Sequence, residues 1–293
     1  MTVQRYVAPR TIAEAVICLN EIGHRAKVIA GGTDLIVQMR AGHVQPNTLV
    51  DLRRLPMGDI RAEHGFVYAG ARVTHTQVIG STHLAPYTAL VASCREIGSP
   101  PIRNRGTVGG NLVNASPAAD TAPALLVYDA TVVLSGLESE RDLPLSQFLL
   151  GPGLTAMAPG EILKEIRLPD IPPNSAAAFI KLGNRKAMFI AVVSVAARLT
   201  IDNAGRVQQA RLALGAVAPT PLRVQSAEEL LCGHDPSDDA LAAAAHEASR
   251  VATPISDTRA SAAYRRSMVE VLATRALRQA VDALRKDGTC DHA

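Results

Sequence analysis

The sequence predicts an α+β chain in three consecutive blocks, and three observations predict it. Up to about residue 55, helical and strand periodicities interleave at short spacing. From about residue 58, strand patterns run between glycine-rich turns, and the proline cluster "PDIPPNS", 169 to 175, ends that region. Beyond it, alternating strand-like runs give way to alanine-rich helices. The blocks are expected at 1–57, 58–172 and 173–293.

In the first block, "TIAEAVICLNEIG" reads as a helix. Thr11 and Glu14 have capping-box spacing, and Ile12, Ala15, Val16, Leu19 and Ile22 recur at helical intervals. Gly23 is placed to end it. "KVIA" is expected as a short buried strand. "TDLIVQMRAG" is expected as a short helix, with Thr33 or Asp34 as N-cap and Gly42 at its end. "NTLVDLRRL" brings a second strand.

In the second block, "GFVYAGARVTHTQVIG" reads as strand, turn and helix start, and "TALVASCREIG" as a helix. A long stretch rich in glycine and proline follows, from Pro100 to the β-branched strand "ATVVLSG". "EILKEIRLP" is a closing strand. In the third block, strands joined by turns run to "PLRV", with Asn203-Ala204-Gly205 as a hairpin signal. Ser226 and Glu229 repeat the capping-box spacing, and Pro236 to Asp239 begin an alanine-rich helix. The final helix, "SAAYRRSMVEVLATRALRQAVDALRK", carries an apolar stripe at Met268, Leu272, Leu277 and Val281.

Composition narrows the functional classes. The 293 residues suffice for a normal hydrophobic core, and 47% apolar with 19% charged residues is ordinary globular usage. A net charge of +3, no Trp and 3% aromatics argue against nucleic acid, because neither an electrostatic footprint nor a stacking platform is present. Apolar runs such as "FIAVVSVAARL" fall short of the ~18 residues of a membrane span. The first ten residues hold no apolar signal-peptide core, so a cytoplasmic protein is expected. Cys18, Cys94, Cys232 and Cys290 are too scattered for a local zinc or iron–sulfur pattern and are expected as buried thiols. No metal ligand set is assigned to this chain.

Chemistry concentrates at two glycine pairs. Gly31-Gly32 lies between a strand and a helix start, where backbone N–H groups lack helical partners and carry partial positive charge. Glycine lets an anion approach such a peptide plane. The bland alternative is a tight turn with an N-cap. "RNRGTVGGNLVNASPAAD" supplies a second pair, Gly109-Gly110, among side-chain donors. Two such bends could grip a diphosphate from two sides. Neither matches the Rossmann or Walker pattern. Asp120 reads either as a carboxylate for a sugar-alcohol hydroxyl or as a cap for "TAPALLVY".

Together "IAGGTDLIVQM" and "IRNRGTVGGNLVNASPAAD" resemble the FAD-binding (medium) subunit of the molybdenum hydroxylases, the family of the carbon monoxide dehydrogenase medium subunit and the xanthine dehydrogenase FAD-binding subunit. "FLLGPGLTAMAPGEILKEIRLP", "FIKLGNRKAM", "ARLALGAVAPTPLR" and "ISDTRASAAYRRSMVEVLATRAL" extend the resemblance along nearly the whole chain. It implies a fold of two FAD-binding subdomains of the PCMH or vanillyl-alcohol-oxidase-like type. A C-terminal domain of antiparallel sheet and helices, of the carbon monoxide dehydrogenase flavoprotein type, would follow them. It implies that Ile29, Ala30, Gly31, Gly32, Thr33, Asp34, Leu35 and Ile36, with Thr107, Val108, Gly109, Gly110 and Asn111, wrap the FAD diphosphate, mainly through backbone N–H groups. Asp120 would contact the ribityl or flavin region, Leu163 would lie by flavin or adenine, and Lys181 near the isoalloxazine edge. Lys181 has a bland alternative as a solvated strand residue. Arg185 would brace the same loop or pair with a carboxylate. The segment around Gly151-Pro152-Gly153 carries no tyrosine, which puts an aromatic flavin contact there in doubt.

The chain shows no convincing catalytic acid–base pair, and none is assigned. An electron-relay subunit needs none, since flavin supplies the redox chemistry. The resemblance implies a large molybdopterin-binding subunit and a small iron–sulfur subunit as partners, in a dimer of heterotrimers. Electrons would leave to NAD, a quinone or oxygen. The alternatives are a stand-alone FAD-dependent oxidase or reductase and a non-catalytic nucleotide-phosphate module. The basic residues Arg259, Arg265, Arg266, Arg275, Arg278, Arg285 and Lys286 read either as a solvated face or as a docking surface.

Overall fold

A computed structural model describes residues 3–185 and 187–290. Three short strands, each reached through a helical connection, form a parallel sheet, because parallel neighbours need a crossover. They are β1 (Arg5–Val7), β2 (Ala26–Ile29) and β3 (Thr48–Asp51), linked by α1 (Ile12–Ile22) and α2 (Leu35–Arg40). The order is β1-β3-β2, so β3 is central and buried throughout. β2 is an edge strand: Ala26 is buried, but Lys27 and Val28 are exposed. "KVIA" is therefore not the buried strand its apolar run suggests. The run faces a cleft instead of a second layer.

Caps set the helix limits. The Thr11 hydroxyl accepts from the Glu14 N–H at 3.1 Å, and Gly23 ends α1 at φ +66°. The Glu14 carboxylate takes the Arg10 N–H at 2.7 Å, one residue before the cap that a capping box would use. Ser226 does not cap α9 (Gln225–Leu231). It lies inside the helix, and its hydroxyl donates to Glu247 at 2.7 Å.

The second block runs β4 (Ile60–Glu63), β5 (Phe66–Gly70), α3 (His75–Gly80), α4 (Thr88–Arg95), α5 (Pro100–Arg105), α6 (Val108–Val113), α7 (Thr121–Leu126), β6 (Thr131–Ser135), β7 (Glu140–Pro144), α8 (Leu145–Phe148), β8 (Leu149–Gly151), β9 (Leu154–Thr155) and β10 (Ile162–Pro169). Its antiparallel sheet has the order β4-β5-β10-β6-β7. Ile166 of β10 lies opposite both Ala69 and Val132, so the closing strand is the sheet's centre. β4 and β7 are edge strands with mostly exposed polar residues, which is why alternation does not reveal them. The glycine- and proline-rich stretch is organised by three six-residue helices, α5 to α7.

In the third block β11 (Ser175–Leu182), β12 (Val193–Ile201), β13 (Val207–Gly215) and β14 (Leu222–Arg223) form an antiparallel meander. Gly205 at φ +79° turns the Asn203-Ala204-Gly205 hairpin. α9, α10 (Asp238–Val251) and α11 (Ala262–Cys290) follow. The sheet is buried on both faces. Phe179, Ala196 and Ala213 join the core of the first two blocks. Val195, Leu212 and Leu214 join Leu272 and Leu277 of α11 in a second core. The sheet is thus a shared wall that fixes the third block against the cleft.

A charge network reinforces that wall. Asp129 accepts from Arg223 at 2.7 Å, Arg211 at 3.0 Å and Arg198 at 3.3 Å. Arg198 is buried, and its other side-chain hydrogen bond goes to the neutral Gln209, at 2.7 Å. Asp129→Asn tolerates the local φ of +52° yet removes the charge. It is expected to cost about 2 kcal/mol in urea unfolding, less than a fully buried pair because Asp129 is partly exposed.

Two surface expectations change. Cys18 and Cys94 are buried, but Cys232 is exposed where α9 ends; the Cys290 side chain lies outside the described residues. Arg265 is no docking residue, being buried and donating to the Val192 and Ala216 carbonyls and to Asp257. Arg259 pairs with the same Asp257, and Arg278 with Asp238.

Candidate functional site

The two glycine bends touch. A Cβ on Gly31 would stand 1.9 Å from the Arg105 carbonyl oxygen, so only glycine lets β2 end this close to α5. Gly32 sits at φ +74°, with Ile29 and Ile36 side-chain carbons each 3.3 Å from where its Cβ would be. Ile29 and Ile36 therefore pack behind the bend. Ala30, Gly31, Gly32, Thr33, Asp34 and Leu35 line a cavity of about 530 Å³.

Among the described residues, the backbone N–H groups of 31–35 make no hydrogen bond. The reason is local. Asp34 holds the N-cap position of α2 but has αR dihedrals and makes no capping bond; its carboxylate takes the Thr33 hydroxyl at 3.3 Å. The N-cap position falls at Asp34 as expected, but no side chain caps it; Ile36 N–H turns back to the Gly32 carbonyl at 3.1 Å, and the amides of 31–35 before it stay unpaired.

The second bend behaves differently. Val108 N–H donates to the Val73 carbonyl (2.9 Å), Gly109 to Ala71 (3.1 Å) and Asn111 to Thr107 (2.9 Å). Gly110 N–H donates to the Thr107 hydroxyl at 3.0 Å. These four amides are bound within the protein and are not available to wrap a diphosphate. Gly109, Gly110 and Asn111 still line the cavity as surface rather than as amide donors; Thr107 lines it too, and its own N–H makes no hydrogen bond among the described residues, while Val108 is core. Leu163 of β10 lines it too.

Asp120 and Lys181 are not on the lining. They form a buried ion pair at 2.6 Å, with the Lys181 side chain 1% exposed. Lys181 is thus no solvated strand residue. It also donates to the Glu96 carbonyl at 3.2 Å and lies 4.6 Å from the centre of the Phe189 ring, which does line the cavity. Asp120 precedes α7 without a capping bond, and its Oδ1 is buried with no partner. Burial raises its carboxyl to about 6 against the opposing charge of Lys181.

Sequence reasoning missed Lys27, Gln38, His75, Glu161 and Phe189, all on the lining. Gln38 was within reach, four residues after Asp34 on the same helix. Phe189 had no local signal. The Gly151-Pro152-Gly153 segment forms the β8–β9 turn, with Gly153 N–H on the Ala115 carbonyl at 3.0 Å, and it is not on the lining. The aromatic at the cleft comes from the loop after β11 instead, where Arg185 donates to the Met188 carbonyl.

The residues present fit FAD. A diphosphate only accepts hydrogen bonds, and five consecutive residues with free amides line a cavity from which a Cβ at Gly31 would exclude the second bend. The cavity wall is otherwise largely apolar or aromatic, including Ile97, Ile102, Leu163 and Phe189, as a flat ring system requires.

Comparison with known proteins agrees. The FAD binding domain in molybdopterin dehydrogenase matches residues 1–171, and the CO dehydrogenase flavoprotein C-terminal domain matches residues 178–280. The 6-hydroxypseudooxynicotine dehydrogenase complex subunit alpha of Paenarthrobacter nicotinovorans is 32% identical over 96% of this chain and 95% of its own. The carbon monoxide dehydrogenase medium chain of Hydrogenophaga pseudoflava is 33% identical over 94% of this chain and 96% of its own. A solved chain of that organism's carbon monoxide dehydrogenase superposes with a TM-score of 0.92 at 33% identity, covering 96% of this chain and 97% of the other. With identity of about a third along nearly the whole length, and with the amide-lined cleft in place, this chain belongs to the FAD-binding medium subunits of the molybdenum hydroxylases.

Proposed function

We propose that the chain holds the FAD diphosphate on the free N–H groups of residues 31–35. The isoalloxazine lies against the apolar wall that includes Phe189. The single observation that carries this is the run of five unpaired amides at the contact of the two bends. Thr107 to Asn111 supply the closely approaching surface opposite. Leu163 packs on a ring, and the Asp120–Lys181 pair polarises the flavin end from behind Phe189. The division into subdomains 1–57 and 58–172 and a C-terminal domain 173–293 belongs to the same reading. So does a cleft covered by partner chains: Met188 and Ile190 line it and are each 55% exposed.

Bound FAD supplies electron exchange in one- or two-electron steps. The chain's own part is to bind, orient and insulate it. In the complex we propose, this chain takes electrons from iron–sulfur clusters on a small subunit and passes them to an external acceptor. Substrate is hydroxylated on a large molybdopterin-binding subunit. A dimer of heterotrimers in the cytoplasm is the proposed assembly. No helix among the described residues is long and apolar enough to cross a membrane.

Purification of the full chain from its own host tests this. The preparation is expected to be yellow, to release about one FAD per chain on acid treatment, and to carry molybdenum and iron on co-eluting chains. A colourless chain that takes up no added FAD would overturn the reading.

A further inference from the structure

His75 is buried, yet it lines the cleft, and nothing in the cofactor reading so far uses it. It opens α3 behind a full capping box at Thr74 and Gln77, and its backbone N–H donates to the Gly106 carbonyl at 3.1 Å. The ring is thereby fixed beneath the second bend. Its Nδ1 lies 3.6 Å from the Cys94 sulfur, which is fully buried on α4. The opposite ring edge faces Gly106: Cδ2 and Nε2 stand 3.2 and 3.4 Å from where a Cβ on that glycine would be. Gly106 itself lines the cleft, and its nitrogen is 3.1 Å from the Cβ position of Gly31. Nε2 therefore lies close to the place where the two bends meet, on the cleft side of the ring, and none of the hydrogen bonds among the described residues uses it.

A ring nitrogen that opens on the cleft and is not used within the protein is free to meet a polar group bound there. Which proton state it presents follows from its neighbours. Burial raises the Cys94 thiol, so the sulfur keeps its hydrogen. Burial, with the charge of Arg103, lowers His75 to about 4, so the ring is neutral at pH 7. A neutral imidazole carries one N–H. Taking the thiol as the donor to Nδ1 puts that hydrogen on Nε2, on the cleft side.

We propose that His75 is a further cofactor-holding residue, its Nε2–H donating to the diphosphate of FAD beside the amides of 31–35, with Cys94 fixing the tautomer. This rests on the FAD reading above and adds a side-chain donor to a site otherwise built from backbone.

The test uses the full chain and its variants His75→Gln and His75→Phe, with FAD binding read by equilibrium dialysis. A glutamine amide can place an N–H near the Nε2 position; phenylalanine fills the space without a donor. His75→Phe is expected to bind FAD about tenfold more weakly, and His75→Gln to stay within about threefold of wild type. Separately, the ¹⁵N spectrum of histidine-labelled wild type is expected to show His75 protonated on Nε2, with that signal moving on addition of FAD. Wild type that takes no FAD sinks the FAD reading itself. If wild type takes FAD, equal loss in both variants, no loss in His75→Phe, or a ring protonated on Nδ1 overturns this inference alone. The spectrum decides should a variant fail to fold.

Discussion

Gly31→Ala is expected to yield a folded chain that purifies without flavin. The added Cβ would meet the Arg105 carbonyl oxygen at 1.9 Å and its carbon at 2.6 Å. Both are backbone atoms, so no rotamer change relieves the clash, and the bends must part by more than about 1 Å to reach normal van der Waals separation. That displacement moves the free amides of 31–35 away from the second bend. It does not touch either hydrophobic core, whose residues lie elsewhere. Affinity for FAD is expected to fall about 100-fold or more, which corresponds to about 2.7 kcal/mol. Absorbance of the bound flavin per chain reads the loss, and far-ultraviolet circular dichroism checks the fold. Gly80→Ala is the control: nothing lies within 4 Å of its Cβ position, and flavin content is expected to be unchanged. A Gly31→Ala chain that keeps stoichiometric FAD would remove the geometric basis of the site.

The second large effect is at Lys181. Its side chain is 1% exposed and bonded to Asp120 at 2.6 Å. Lys181→Met leaves that carboxylate buried with an orphaned Oδ1 and no compensating charge. Breaking such a pair from one side costs about 3–5 kcal/mol, whereas removing both partners costs much less. Asp120→Asn combined with Lys181→Met is therefore expected to recover most of the loss. The pH dependence has a definite sign. Asp120 is raised in the folded chain, to about 6. Its favourable contribution is fully present below the unfolded value near 3.8 and is lost as pH rises through about 6. Without Lys181 the carboxyl rises further and the loss extends to higher pH. The gap in thermal midpoint between wild type and Lys181→Met is thus expected to be wider at pH 8 than at pH 5. A gap that does not widen would mean that Asp120 remains solvated and that the pair is incidental.

Much of the fold was legible because its signals are local. Thr11 and Gly23 bracket α1, the Asn203-Ala204-Gly205 turn sets the β12–β13 hairpin, and the stripe at Leu272, Leu277 and Val281 picks out the buried face of α11. Each depends on residues within a few positions of one another. The polar edge strands β4 and β7 were not legible, since an edge strand need bury neither face.

The site divides in the same way. The sequence by itself determined two glycine bends, their order, and the backbone exposure that a diphosphate needs at Gly31 and Gly32. Only the tertiary structure decided that Gly31 touches Arg105 and that the amides of the second bend are taken by Ala71, Val73 and Thr107. It likewise paired Lys181 with Asp120, 61 residues away, and brought Phe189 and His75 to one cavity. Capping and turn chemistry are short-range and written in neighbouring residues. Which donors remain free, and which charges are buried together, depends on contacts that exist only after the sheets have packed.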